Sequence, residues 1–202
     1  MANADRPSGL KPVKHLNGSP WNGKVTMYYK AAASNAIYKG TCVKSGGSGN
    51  TDGTVPSCDL AGATDQILGV AVGFANQKNI AADVTSLNRL YCPASTAMYI
   101  AVVDDPDVIF EAQEDNGSSA HMEAADIGRN IVLASSSAGS TTTGKSTAEL
   151  DSDGDAAGYA SARLLIVGVV DRVDNEMGSS ADHTKWLVRI ADHFFQQPTT
   201  GA

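Results

Sequence analysis

ARLLIVGVVDRV (residues 162–173) and TKWLVRIADHFF (residues 184–195) are the two stretches of this 202-residue chain that decide its fold class. In the second stretch, Trp186, Val188 and Ile190 alternate with Lys185, Leu187 and Arg189. A two-residue apolar period is typical of a β-strand with one face buried and the other partly wet. The turn-rich sequence DNEMGSSADH joins the two stretches. We therefore predict two strands at this point of the chain.

Further short runs of β-branched and aromatic residues predict more strands upstream. They are VTMYY (25–29), AIYKGTCV (36–43), ILGVAVGF (67–74), AMYIAVV (97–103), VIFEAQ (108–113) and NIVLA (130–134). The continuous apolar run of residues 67–74 indicates a strand covered on both faces. Flexible loops rich in Gly, Ser and Thr are predicted at 45–56 and 135–162, and HMEAADIG (121–128) predicts a single helical turn closed by glycine. Strands separated by turn formers predict an all-β protein, a compact barrel or sandwich with long loops.

The first 23 residues, MANADRPSGLKPVKHLNGSPWNG, differ in chemistry from the rest of the chain. Three prolines and three glycines break any regular element, so residues 1–23 are predicted to form an irregular, extended N-terminal arm. Residues 24–202 are then a single β-rich body domain. The arm is expected to be mobile in the free protein and to become ordered on a partner's surface.

The charge is distributed unevenly. The net charge is −7, but residues 1–30 carry +4 and the remaining 172 residues carry −11. An acidic body argues against nucleic-acid binding, which depends on lysine and arginine at the phosphates. No apolar run is long enough to cross a membrane and no export signal begins the sequence, so we expect synthesis in the cytoplasm and no membrane partner.

The three cysteines are Cys42, Cys58 and Cys92, with no C-x-x-C spacing. Cys42 and Cys58 could pair across the glycine-rich loop between them. A chain without an export signal first meets a reducing compartment, which favours free, buried thiols.

GSTTTGKS, Gly139 to Ser146, matches the phosphate-loop pattern G-x-x-x-x-G-K-[ST] in full. In that motif backbone N–H groups cradle phosphates, and LLIVGVVD would offer a metal-binding Asp171. The motif requires a strand running into the loop and a helix beginning at the lysine. STAELDSDGDAAG is too short and too turn-rich for that helix. We therefore expect a solvated loop, with a nucleotide-binding enzyme as the alternative.

Other patterns in the sequence indicate chemistry only weakly. DSDGD (151–155) has the acidic alternation of a calcium loop but lacks the glycine and glutamate of a helix-loop-helix site, which leaves a looser oxygen-rich site open. The four histidines, His15, His121, His183 and His193, have no metal-ligand spacing and are expected at the surface or in turns. The acids from Asp104 to Glu114 could supply a glycosidase pair, but without an array of sugar-binding aromatic residues they are expected to lie in a solvated loop. We predict no enzymatic activity, no metal and no cofactor.

Six segments of the chain resemble a group of tailed-bacteriophage virion structural proteins from marine and environmental phages. They are residues 1–23, QILGVAVGF (66–74), VVDDPDVIFEAQEDNG (102–117), GSTTTGKSTAELD (139–151), LLIVGVVDRVDNEMG (164–178) and WLVRIADHFF (186–195). The resemblance implies a capsid decoration, or cement, protein. Such a protein is small, β-rich and non-enzymatic, sits on the outside of the virion head, commonly as a homotrimer, and stabilises the shell by bridging subunits of the major capsid protein.

On this interpretation the N-terminal residues bind the capsid. Cationic side chains would meet acidic patches of the major capsid protein, and Trp21 would be the main anchor, because aromatic residues dominate interface energetics. The predicted docking residues are Arg6, Lys11, Lys14, Trp21 and Lys24. Alternatives are another virion component, such as a tail tube, head-fibre base or minor capsid protein, or a carbohydrate-binding module.

Overall fold

The strands of the protein confirm the predicted all-β class. A computed structural model describes residues 3–33, 35–62, 65–78, 89–117, 121–134, 136–154, 162–178 and 182–196. The strands of this part are β1 (Lys11–His15), β2 (Thr26–Lys30), β3 (Cys42–Gly49), β4 (Pro56–Leu60), β5 (Gly69–Ala75), β6 (Met98–Val103), β7 (Val108–Gln113), β8 (Asn130–Ile131), β9 (Leu133–Ala134), β10 (Glu149–Leu150), β11 (Leu164–Val169) and β12 (Lys185–Ile190). The predicted helical turn is a 3-10 turn, Ala124–Asp126, followed by Gly128 at φ +90°.

Five consecutive strands, β2 to β6, close into a barrel in the order β2-β4-β3-β5-β6. β6 closes it by pairing antiparallel with both β2 and β5, while β2 meets β4 in parallel at the single pair Tyr29 and Ser57. Alternate residues of β6, Met98, Ile100 and Val102, pack in one apolar cluster with residues of the other barrel strands. This cluster is the core of the barrel.

The second unit is an antiparallel sheet in the order β1-β7-β12-β11-β8. Its central strand is β12, in which Trp186, Val188 and Ile190 are buried and the alternate residues are half-buried. The alternation predicted for this strand is therefore confirmed. A small third sheet pairs β9 with β10.

A second apolar cluster joins the barrel to the sheet. Cys42, Val70 and Val103 contribute to it from barrel strands, and Phe110 and Trp186 contribute from the sheet. Neighbouring residues of β5 belong to the barrel core, so β5 is covered on both faces as its continuous apolar sequence predicts. Each fully buried large side chain of this kind contributes about 1.5–3 kcal/mol.

The glycine-rich loop predicted at residues 45–56 is wrong over half of its length. β3 continues to Gly49 and pairs with β4, a strand that the sequence analysis missed. Glycine and serine have low strand propensity, but here the Ser57 hydroxyl donates to the Ser48 carbonyl, 2.8 Å away, across the two strands. The true turn is short, and the Asn50 side-chain oxygen accepts from the Val55 N–H at 3.0 Å.

The N-terminal residues do not form the irregular arm that their prolines predict. β1 is an edge strand of the five-stranded sheet and pairs with β7, and edge strands tolerate a proline such as Pro12. Leu10 is 1% exposed and belongs to the cluster between barrel and sheet. The Leu10 N–H donates to the Gly40 carbonyl at 2.9 Å. Residues 3–23, the N-terminal segment below, therefore pack against the body.

Candidate functional site

The cations predicted to bind a capsid lie at the surface without ion pairs. Arg6, Lys11 and Lys24 are exposed and Lys14 is half-buried. None of these four, the N-terminal cations, forms a salt bridge with another described residue. Elsewhere several cations are neutralised: Lys44 contacts Asp65 at 2.8 Å, and Arg163 contacts Asp192. The N-terminal cations thus leave uncompensated positive charge on an acidic protein.

A groove opens between the N-terminal segment and the barrel. Its volume is about 550 Å³, within the range of roughly 300–1,000 Å³ that ligand pockets occupy. Its lining, which defines the basic groove, is Ser8, Leu10, Lys11, Pro12, Trp21, Gly23, Val25, Lys39, Gly40, Val72, Ala101 and Lys145. The described residues that line it include three lysines and no acid.

Trp21 lies in the wall of the basic groove and not on an open surface. A turn stabilised by Asn17, whose side-chain oxygen accepts from the Ser19 N–H at 3.0 Å, returns the chain towards β1. The Trp21 N–H then donates to the Val13 carbonyl at 3.0 Å, and the half-buried ring packs against the core. The Trp21 side-chain Nε1 is buried without a hydrogen-bond partner.

Lys39 and Lys145 complete the groove, although neither was predicted as a docking residue and Lys145 stood out only as the lysine of the phosphate-loop-like segment. Lys39 and Lys145 lie on adjacent segments, because the Lys39 N–H donates to the Gly144 carbonyl at 2.9 Å and the Ser146 N–H donates to the Lys39 carbonyl at 2.8 Å. Their separation of more than one hundred residues leaves no local signal that could have predicted this pairing. Of the predicted docking residues, the groove brings together Lys11 and Trp21, whereas Arg6, Lys14 and Lys24 do not line it.

The phosphate-loop-like segment forms a closed turn. Gly139 bridges to Ser146, the Ser140 N–H donates to the Lys145 carbonyl, and the Gly144 N–H donates to the Ser140 carbonyl. Two of the backbone donors that a phosphate would need are therefore used within the loop. β10 follows the segment in place of the helix that the motif requires, and Asp171 is exposed beyond β11. This arrangement weighs against nucleotide binding at the loop.

A histidine and two carboxylates meet near the start of the chain. The Nδ1 of His183 lies 3.9 Å from Asp5 Oδ1 and 3.8 Å from Glu149 Oε1. The side-chain Nε2 of Gln113 donates to Asp5 at 3.1 Å and to Glu149 at 2.8 Å, and lies 3.4 Å from His183 Nδ1. The amide thus occupies the point on which the three groups converge. Of the acidic stretch DSDGD, in which an oxygen-rich cation site was left open, Asp155 lies outside the described residues.

Two titratable groups expected at the surface are instead fully buried. Glu114 is 0% exposed and accepts from the Trp186 indole N–H at 2.9 Å, and burial raises the pKa of its carboxyl. His193 is also 0% exposed; its Nδ1 accepts from the Phe195 N–H at 3.1 Å, and burial lowers the pKa of its imidazole. The predicted exposure of both groups is therefore wrong: a tertiary hydrogen bond accompanies the burial of Glu114, whereas His193 has a local one and keeps a buried Nε2 without a partner among the described residues.

The three cysteines are free and buried, as predicted. Burial raises the pKa of Cys42 and of Cys58 to about 12, and raises the pKa of Cys92. None of the described helices is long and apolar enough to span a bilayer.

The chain matches no protein-family model, no curated protein and no solved structure. The candidate site therefore has to be interpreted from its own geometry.

Proposed function

We propose that this protein is a non-enzymatic decoration protein of a tailed-phage capsid. It binds the outer surface of the virion head, commonly as a trimer, and stabilises the shell by bridging subunits of the major capsid protein. The observation that carries the proposal is the set of N-terminal cations, which have no ion pair among the described residues and lie on a strongly acidic β-protein. Such a surface is complementary to an acidic partner.

The all-β fold and the sequence resemblance support the same interpretation. A decoration protein needs a stable body and an adhesive surface that can be repeated on a symmetric shell. Many weak contacts on a lattice give high avidity without one tight contact. On this proposal the N-terminal segment is already folded in the free protein, so docking costs less conformational entropy than ordering a flexible arm would.

The test is binding to purified, expanded shells that lack this protein. We expect the double variant Lys14→Glu/Lys24→Glu to lower shell occupancy at least tenfold at low salt, because it reverses two of the N-terminal cations. Binding of the unaltered protein should also weaken as salt is raised. Deletion of residues 1–23 is a poor test, because it also removes the buried Leu10.

The matched control is Lys44→Glu/Lys78→Glu, which changes the net charge equally. Lys44 and Lys78 pair with Asp65 and Asp52, away from the N-terminal cations. This control should bind shells like the unaltered protein. Equal occupancy for the two double variants would contradict the proposal, as would a complete lack of shell binding.

A further inference from the structure

We propose that the basic groove binds an extended acidic segment of the partner subunit, in which aspartate or glutamate side chains alternate with aliphatic ones. This inference rests on the proposed function, since the partner is then a capsid subunit. The inference assigns the capsid contact to a particular groove. It also includes two contact residues, Lys39 and Lys145, that do not belong to the N-terminal segment.

The charges of the groove select an anionic ligand. Lys11, Lys39 and Lys145 come from three separate segments, and none of them forms an ion pair with another described residue. Three cations held around one cavity repel each other unless a bound anion compensates them. Acidic side chains of a partner would supply that compensation.

The remaining lining favours a peptide over a phosphate ligand. Pro12, Val25 and Val72 are apolar lining residues with half-buried or exposed side chains, so they suit the aliphatic side chains of an alternating segment. In the adjacent loop the N–H groups of Ser140 and Gly144 already donate to loop carbonyls.

The indole of Trp21 adds a directional contact. Trp21 lines the groove and its Nε1 is buried without an acceptor among the described residues, whereas buried polar groups are usually hydrogen-bonded. A carboxylate or backbone carbonyl of the bound segment would accept this hydrogen bond. Replacement by phenylalanine removes the donor and keeps an aromatic ring.

The experiment measures fluorescence anisotropy with a labelled model peptide, Asp-Leu-Glu-Leu-Asp-Leu, and the full-length protein. We expect saturable binding that falls at least tenfold in Lys39→Glu/Lys145→Glu and several-fold in Trp21→Phe. The charge-matched control Lys44→Glu/Lys78→Glu should bind like the unaltered protein. Circular dichroism checks folding, and Lys39→Gln/Lys145→Gln replaces the charge reversal if that variant does not fold.

Three outcomes would overturn the inference. The first is equal peptide affinity in the Lys39/Lys145 variant and the control, or no peptide binding at all. The second is tighter binding of inorganic triphosphate than of the peptide, with the same dependence on Lys39 and Lys145. The third is self-association that those two lysines control, measured by sedimentation, which would make a second copy of this chain the occupant.

Shell binding separates this inference from the proposed function. If shells bind the Lys39/Lys145 variant at full occupancy but reject Lys14→Glu/Lys24→Glu, the groove inference fails and the proposed function stands. If shells reject neither variant, the proposed function fails as well. Loss of shell and peptide binding in the Lys39/Lys145 variant supports both.

Discussion

At the scale of single residues, Gly9 and Gly40 cross at van der Waals distance where the N-terminal segment meets the barrel. Gly9 has a φ of +63°, and a Cβ added to it would lie 2.4 Å from the Gly40 carbonyl oxygen. We expect Gly9→Ala to lower the free energy of unfolding by about 2–5 kcal/mol, because it adds both a left-handed backbone penalty and a steric clash. Urea denaturation measures the change.

Gly18→Ala is the matched control for this substitution. Gly18 has a φ of +89°, but a Cβ there meets no atom within 4 Å. The control should therefore show only the backbone penalty, about 1–2 kcal/mol. Similar losses for the two variants would mean that the glycine crossing does not hold the N-terminal segment in place.

The buried carboxyl of Glu114 makes stability depend on pH. Because burial raises its folded-state pKa above the ordinary value of 4.5, the folded protein favours the protonated form. The stability of the unaltered protein, relative to Glu114→Gln, should thus fall as pH rises from about 4.5 towards the folded pKa. Glutamine stays neutral and keeps an oxygen for the Trp186 indole. Thermal unfolding across this range provides the measurement, and parallel pH profiles would contradict the prediction.

At the scale of elements, Leu10 tests whether the N-terminal segment is folded in the free protein. Its side chain is 1% exposed in the core, whereas Leu16 in the following turn is 50% exposed. We expect Leu10→Ala to destabilise the protein by about 2–5 kcal/mol and Leu16→Ala to change stability by about 0.5 kcal/mol or less. Chemical denaturation of both variants gives the comparison. If Leu10→Ala left the free energy of unfolding unchanged, the result would instead support the mobile arm that the prolines of this segment predict.

Strands with a local signal were predictable, and elements held by distant contacts were not. VIFEAQ became β7 and the alternation in residues 184–195 became β12, because apolar period and β-propensity lie within each segment. β3 runs through SGGSG, which has no strand propensity and depends on Ser57 across the hairpin. In the candidate site, too, the residues with a local sequence signal were predictable and those brought in by distant contacts were not. Lys11 and Trp21 stood out in a basic segment, but their partners Lys39 and Lys145 meet only in the folded chain.

At the scale of the whole molecule, the three thiols report on global unfolding. Cys42 and Cys58 lie in barrel strands and Cys92 bridges to Ile37, and all three are buried with raised pKa values. A thiolate is the reactive form, so we expect no reaction with a disulfide reagent in the native protein. At a reagent concentration that traps every unfolded chain, each of the three thiols should react at the rate of global unfolding, which tryptophan fluorescence measures. A thiol that reacts faster would show local opening of the barrel.

The order of strands in the sheet also determines when the protein can fold during synthesis. The barrel uses only residues 26–103, a continuous stretch, so it can close while later residues are still being translated. The five-stranded sheet cannot form this early, because its central strand β12 lies between β7 and β11 and is the last described strand to leave the ribosome. Until then the apolar residues Val108, Phe110 and Ala112 of β7 lack the neighbouring central strand. The nascent chain is therefore most prone to aggregation after the barrel has formed and before β12 emerges.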